Sequence, residues 1–277
     1  MAALPDQVFT PSSLSELFSI WERFPEAMPY AGGTCLLRSQ GKQILELPGM
    51  ILTLDKIKEL GKITRTERYL EIGAMVKLNQ IMLLGKIIPE ALKNCLGQIA
   101  SPQLRNIATI GGNICNKKSI GKDAIVPLIA LDAQYELCSS QLSRWISAAR
   151  FSPGINDNAL NKRELLTRIR IPLEQWDYPV YRKFAFSGNY GSSVVFMIKN
   201  QKSVLTDIRL IFRDGVILRD KDSESILIGK QLPLSAKIAA DFLDKWDNYM
   251  ANNPEINQQN RRKLLNFIDF IVQNLSE

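Results

Sequence analysis

From Leu14 onward, apolar positions recur at helical spacing. In "SSLSELFSIWERF", Leu14, Leu17, Phe18 and Trp21 share one face, and Ser13 and Glu16 have the spacing of a capping box. The pattern predicts a helix, followed by a short strand that ends in "YAGGTCLL", Tyr30 to Leu37. Period-two alternation in "QILELPGM", closed by Pro-Gly, and in "YLEIGAM" predicts two more strands. "KLNQIMLLG" and "PEALKNCLGQIA" return to helical spacing, the second with Pro89 placed for a first turn. A glycine loop, "TIGGN", then precedes the apolar run "AIVPLIALDA", which reads as a buried helix. "YELCS" and "LLTRIRIPL" read as strands, the latter bounded by Pro172. Strands and helices alternate irregularly, which predicts an α+β fold rather than a repeating βαβ array.

Beyond Pro179 the texture changes. "YRKFAFSG", "SVVFMIK" and "DIRLIFRDGVILRD" read as strands, with Asp214-Gly215 as a hairpin signal. Two helices follow, "SAKIAADFLDKWDNYM" with Ser235 as its cap and "NRRKLLNFIDFIVQNL". The stripe of the second is Leu264, Leu265, Ile268, Ile271 and Val272, and it reads as core.

Composition narrows the function. A chain of 277 residues, 45% apolar and 23% charged, is that of a globular protein with room for two domains. No apolar run reaches membrane-spanning length, and "MAALPDQVFTPSS" has no basic segment leading into an apolar stretch, so the expected location is cytoplasmic. Cys35, Cys95, Cys115 and Cys138 form no C-x-x-C, which excludes a recognisable iron–sulfur or zinc ligand set and argues against a disulfide framework. Histidine is absent altogether. That removes Ser-His-Asp and Cys-His catalysis, HExxH zinc sites and any imidazole base, so a bound cofactor is expected to carry the chemistry. The formal charge of +7 is spread along the chain rather than gathered in an arm, as for a surface that attracts an anionic cofactor or an acidic partner.

Two short stretches carry candidate chemistry. "AGGT" at Ala31 to Thr34 and "TIGG" at Thr109 to Gly112 each set two glycines beside a hydroxyl residue. Glycine pairs let successive N–H groups converge on an anion, and two such nests suit the linked phosphates of a dinucleotide. Neither stretch fits a Walker A loop or a Rossmann G-x-G-x-x-G, and from the residues alone both remain readable as tight turns.

"YAGGTCLL", "LEIGAM", "SPQLRNIATIGGNIC", "D(x3)PLIALDA" and "ELLTRIRIP" occur here in the order and spacing of one family. The chain resembles, over nearly its whole length, the FAD-binding medium subunit of molybdenum hydroxylases of the xanthine dehydrogenase and carbon monoxide dehydrogenase type. The resemblance implies a two-lobed α+β FAD-binding fold of the vanillyl-alcohol oxidase type over residues 1–175. A C-terminal sheet-and-helix flavoprotein domain follows over 176–277, with "NRRKLL" where the family commonly has a Tyr-Arg-Arg helix. It implies FAD lying extended between the lobes, its pyrophosphate held by the two glycine stretches, and the absence of histidine, a common covalent flavin tether, predicts that the FAD is held non-covalently. Carried across, the first stretch supplies Ala31, Gly32, Gly33, Thr34, Cys35 and Leu36, and the second supplies Thr109, Gly111, Gly112 and Asn113. Asp123 matches the acid that bonds the adenosine ribose. Ile99 and Leu166 match apolar cofactor contacts, Leu166 against the isoalloxazine, and Lys183 falls near a basic residue at the flavin's pyrimidine end.

The sequence also departs from the pattern. Cys35 stands where an aspartate is common, "NKKSIGKD" lacks a usual proline and is one residue longer, and Phe186-Ser187 replace an Arg-Arg pair. Lys117, Lys118 and Lys122 in that longer run are either alternative phosphate ligands or solvated surface lysines. By resemblance, the partners are a molybdenum-cofactor large subunit and a [2Fe–2S] small subunit, which hold the metal centres; electrons reach FAD here and pass to NAD⁺ or another acceptor. Two alternatives use the same residues: a structural subunit that has lost FAD, and a stand-alone flavin oxidase.

Overall fold

A computed structural model describes residues 5–39, 46–116, 122–152, 158–184 and 191–275. The chain begins with β1 (Gln7–Phe9), α1 (Leu14–Arg23), β2 (Met28–Tyr30), α2 (Thr34–Ser39) and β3 (Met50–Thr53). The strands form a parallel sheet in the order β1-β3-β2, against which α1 packs Leu17, Phe18 and Trp21 beside Leu52 and Leu54. Ser13 caps α1 by accepting the Glu16 N–H at 3.2 Å. The Glu16 carboxylate reaches back one residue further than a capping box requires, to the N–H and hydroxyl of Ser12 at 2.8 Å. Of the strand expected over 43–50, residues 43–45 lie outside the described residues. The described strand starts at Met50, past the Pro-Gly turn, where Ile51 and Leu52 are buried between two parallel neighbours.

The second lobe runs through β4 (Ile63–Arg65), β5 (Tyr69–Gly73), α3 (Leu78–Met82), α4 (Glu90–Gly97), α5 (Pro102–Arg105), α6 (Ile110–Cys115) and α7 (Ile125–Ala130). It then continues through β6 (Gln134–Cys138), β7 (Ser143–Ser147), α8 (Ala148–Phe151) and β8 (Leu165–Pro172). Its antiparallel sheet has the order β4-β5-β8-β6-β7. Leu70, Ile72, Tyr135, Leu137, Ile169 and Ile171 alternate inward to the largest core, while Glu71, Glu136, Arg168 and Arg170 form an ion-pair ladder on the open face. The stretch expected as a loop at Thr109–Gly112 is the start of α6. Thr109 is its cap, and its hydroxyl accepts the Gly112 N–H at 3.0 Å.

The rest of the chain is β9 (Tyr178–Lys183), β10 (Ser193–Gln201), β11 (Val204–Asp214), β12 (Val216–Leu218), α9 (Lys221–Leu227), α10 (Ala236–Ala251) and α11 (Gln258–Asn274). The antiparallel sheet β12-β11-β10-β9 is covered on both sides. Val194, Phe196, Leu210 and Phe212 face α10 and α11, whereas Tyr181, Val195, Met197 and Ile211 join the core of the second lobe. Burial on both faces explains the unbroken apolar run in "SVVFMI", where a one-sided strand would alternate. At the Asp214-Gly215 hairpin, Asp214 accepts the Asn257 N–H at 3.1 Å and the Asn260 amide at 2.9 Å, fixing the start of α11. Among the described residues no helix is long and apolar enough to cross a membrane.

Candidate functional site

The two glycine stretches meet. A Cβ on Gly32 would lie 2.3 Å from the carbonyl oxygen of Ile107, just before Thr109, so a glycine is needed where one backbone crosses the other. Asn116, at the end of α6, donates to Cys35 Sγ at 3.4 Å. Gly33 has φ +67°, and a Cβ there would fall 2.0 Å from the Tyr30 hydroxyl.

The backbone donors of the two stretches differ. At the start of α6, Ile110 N–H donates to Val76 O at 3.0 Å, Gly111 N–H to Ala74 O at 2.9 Å and Asn113 N–H to Thr109 O at 3.0 Å. With Gly112 N–H on the Thr109 hydroxyl, every donor of that turn is engaged within the protein. In the first stretch, the N–H groups of Gly32, Gly33 and Thr34 have no acceptor among the described residues. The expectation of two equivalent nests is therefore corrected. One stretch presents consecutive open donors around a left-handed glycine, the geometry of an anion-binding concavity. The other is a buttress, in which Gly111 permits close packing on Ala74, since a Cβ would stand 2.8 Å from Ala74 O.

Beside this contact lies a cavity of about 450 Å³ between the lobes. Trp21, Leu54, Met75, Leu160, Leu165 and Leu166 give it apolar walls, and Ala31, Gly111 and Gly112 line it. Its volume is within the roughly 300–1,000 Å³ usual for small-molecule sites. The polar side is the segment from Asn158 to Glu164. Arg144 locks that segment, donating to both Glu164 oxygens at 2.6 and 2.7 Å and to Ala159 O at 2.8 Å, while Asn161 N–H donates to Glu164 at 2.8 Å. The Arg144 guanidinium holds the Glu164 carboxyl below the usual range. Cys115 also lines the cavity; burial pushes its thiol up to about 12, so it is neutral and not a nucleophile near pH 7. Among the described residues no group of His, Cys, Asp or Glu is arranged to hold a metal ion.

Of the residues singled out in the sequence, Ala31, Gly111, Gly112 and Leu166 line the cavity. Gly32, Gly33, Thr34, Cys35 and Thr109 belong to the loop contact beside it, and Leu36 continues into α2. Asn113 links α6 to α7 by accepting Ala124 N–H at 3.3 Å. Ile99 is not at the cavity; it lies in the core, its carbonyl bonded by the Arg105 guanidinium at 2.9 Å. Asp123 is 2% exposed, and its oxygens accept from Lys183 at 2.7 Å and Arg213 at 2.9 Å. Lys183 is thus bonded to the residue expected at the adenosine ribose, and it is not among the residues that line the cavity with Leu166. Lys117, Lys118, Phe186 and Ser187 lie outside the described residues. The Asn158–Glu164 segment was missed; its only sequence signal is a polar run directly before a strongly apolar strand.

The profile of a family described as the FAD binding domain in molybdopterin dehydrogenase matches residues 4–174. The glyceraldehyde dehydrogenase medium chain of Sulfolobus acidocaldarius is 31% identical over 228 residues, covering 79% of this chain and 80% of that one. The carbon monoxide dehydrogenase medium chain of Afipia carboxidovorans is 28% identical, covering 80% and 79%. A chain of the carbon monoxide dehydrogenase of Hydrogenophaga pseudoflava superposes with a TM-score of 0.82 at 21% identity, over 100% of this chain and 98% of that one.

Proposed function

Because this chain belongs to the family of FAD-binding domains of molybdopterin dehydrogenases, we propose that it is the flavin-carrying electron-transfer subunit of a multisubunit hydroxylase. The observation that carries the site assignment is the run of open N–H donors at Gly32, Gly33 and Thr34 beside an apolar inter-lobe cavity. Those donors would hold the pyrophosphate, with Cys35 and Leu36 continuing that wall. Gly111 and Gly112 keep the opposite side free of Cβ atoms, and Thr109 fixes the turn that carries them. The walls with Leu166 would take the isoalloxazine and exclude water from it, and Asp123 would meet the adenosine ribose. FAD, when bound, supplies the ability to accept electrons singly and release them as a pair. We take residues 1–175 as the two-lobed FAD-binding domain and 176–277 as the C-terminal domain.

The relatives' designations as medium chains describe one chain of several. That supports a molybdenum-cofactor large subunit and a [2Fe–2S] small subunit as partners, with electrons entering from the latter and leaving to NAD⁺ or another acceptor. The test is purification of the tagged chain from its own cells, with visible spectra and metal analysis. Flavin bands with co-purifying molybdenum and iron are expected. A colourless chain in a metal-containing complex would make it a structural subunit, and flavin without metals would make it a stand-alone flavoprotein.

A further inference from the structure

The C-terminal sheet meets the second lobe at α4 and α7, and its ion pairs gather around α7. Arg209 and Arg213 point from the same face of β11, four residues apart, about 13 Å along a strand. The helix between them, Ile125–Ala130, is about 9 Å long. Arg209 bonds its C-terminal end, at Ala130 O and at Asp132, both at 2.6 Å. Arg213 bonds Asp123 just before its start. Across the sheet Ser193 pairs with Lys183 on one side and Arg213 on the other, so both cations that meet Asp123 stand in one row on one face.

We propose that Arg213 is a positioning residue for Asp123, so that the C-terminal sheet completes the adenosine end of the cofactor site; this rests on Asp123 being a cofactor contact. The backbone at Ala124 is tied to α6 through Asn113, but the direction of the Asp123 carboxylate is set by Arg213 and Lys183. Arg213 is 4% exposed and donates through Nη1 to one Asp123 oxygen at 2.9 Å, a bond that solvent screens little. A carboxylate offers about four lone-pair positions, and among the described residues Lys183 and Arg213 each take one. Lys183 bonds the same carboxylate from the neighbouring strand.

The experiment uses the full chain stripped of flavin and measures dissociation constants for FAD, ADP and FMN. The proteins are wild type, Asp123→Asn, Arg213→Met, Arg213→Lys and the Asp123→Asn/Arg213→Met double variant. Arg213→Met should weaken FAD and ADP by about tenfold or more, the scale of a lost charged hydrogen bond, and leave FMN unchanged. The double variant should be no weaker than Asp123→Asn, because the two residues act as one unit, and Arg213→Lys should fall between wild type and Met. Should the Met variant not fold, Arg213→Lys carries the comparison. Equal weakening of ADP and FMN, or no change in either while Asp123→Asn weakens ADP, overturns the positioning role and leaves Asp123 as a contact. Unchanged ADP affinity in Asp123→Asn removes the contact itself, and the inference with it.

Discussion

Substituting the glycines separates a site for a cofactor from a crossing of two loops. Gly32 and Gly112 look equivalent in sequence, yet their surroundings differ. At Gly32 an added Cβ lands 2.3 Å from the Ile107 carbonyl oxygen and 2.9 Å from its carbon, both backbone atoms that move only if the lobes separate. Overpacking of that kind costs about 1–3 kcal/mol, which for a chain this size lowers Tm by roughly 2–12 °C. Gly32→Ala should therefore destabilise the flavin-free chain, and its loss of FAD would say nothing specific about the phosphates. At Gly112 the Cβ meets only the Thr109 hydroxyl, at 2.9 Å. A small shift there is offset by the gain of about 0.5–1 kcal/mol from replacing a helical glycine by alanine. Gly112→Ala should leave the flavin-free Tm within about 4 °C of wild type. Because Gly112 lines the cavity, a valine there pushes methyl groups towards whatever the Gly32–Thr34 donors hold. Loss of one charge-assisted hydrogen bond costs about 1.5–3 kcal/mol, or roughly ten- to a hundredfold in FAD affinity. Fluorescence titration of stripped protein, paired with a thermal melt, reads both quantities. Wild-type FAD affinity in Gly112→Val, or a wild-type melt in Gly32→Ala, would refute the division of labour.

Three further outcomes follow from the same structure. Glu164 has its pKa lowered by Arg144, so its ion pair contributes stability above the ordinary glutamate range near about 4.3 and loses it as pH falls through the lower folded value; urea midpoints between about pH 6 and 3 should fall less steeply in Glu164→Gln than in wild type, and parallel curves would contradict the assignment. Thr109→Val removes the cap of α6 and should cost about 0.5–2 kcal/mol in the flavin-free chain, read as a lower melting temperature. With no histidine in the chain and the Cys115 thiol neutral, acid precipitation should release all flavin to the supernatant; colour kept in the pellet would show a covalent link.

Much of the fold was legible because its elements are locally consistent. The amphipathic stripe of α1 with Ser13, the alternation of β5 and the Asp-Gly turn after β11 each name a structure that burial then uses. What stayed hidden has two physical causes. Strands β1, β4 and β7 are short and lie at sheet edges, where three to five residues hold too little pattern to differ from loop. The second cause is pairing across distance. Nothing local in "TIGG" tells that its N–H groups will be taken by Ala74 and Val76, and nothing in "KD" or "FRD" tells that Asp123 and Arg213 will meet. Membership of the site was thus easier to read than the bond each member makes.

The arrangement also bears on what kind of work the chain does. Two ionisable groups that line the cavity are neutral or held, Cys115 as a thiol and Glu164 by Arg144. A proton-transfer catalyst needs the reverse, a group free to change protonation near its working pH. The ion pairs instead hold walls and fasten elements, and the apolar faces of Trp21, Leu54 and Leu166 offer shape without a reactive atom. Such walls suit the proposed role of binding and orienting a group that brings its own reactivity. The absence of histidine from the sequence and the engagement of Glu164 at the cavity wall both fit the proposed role of cofactor carrier.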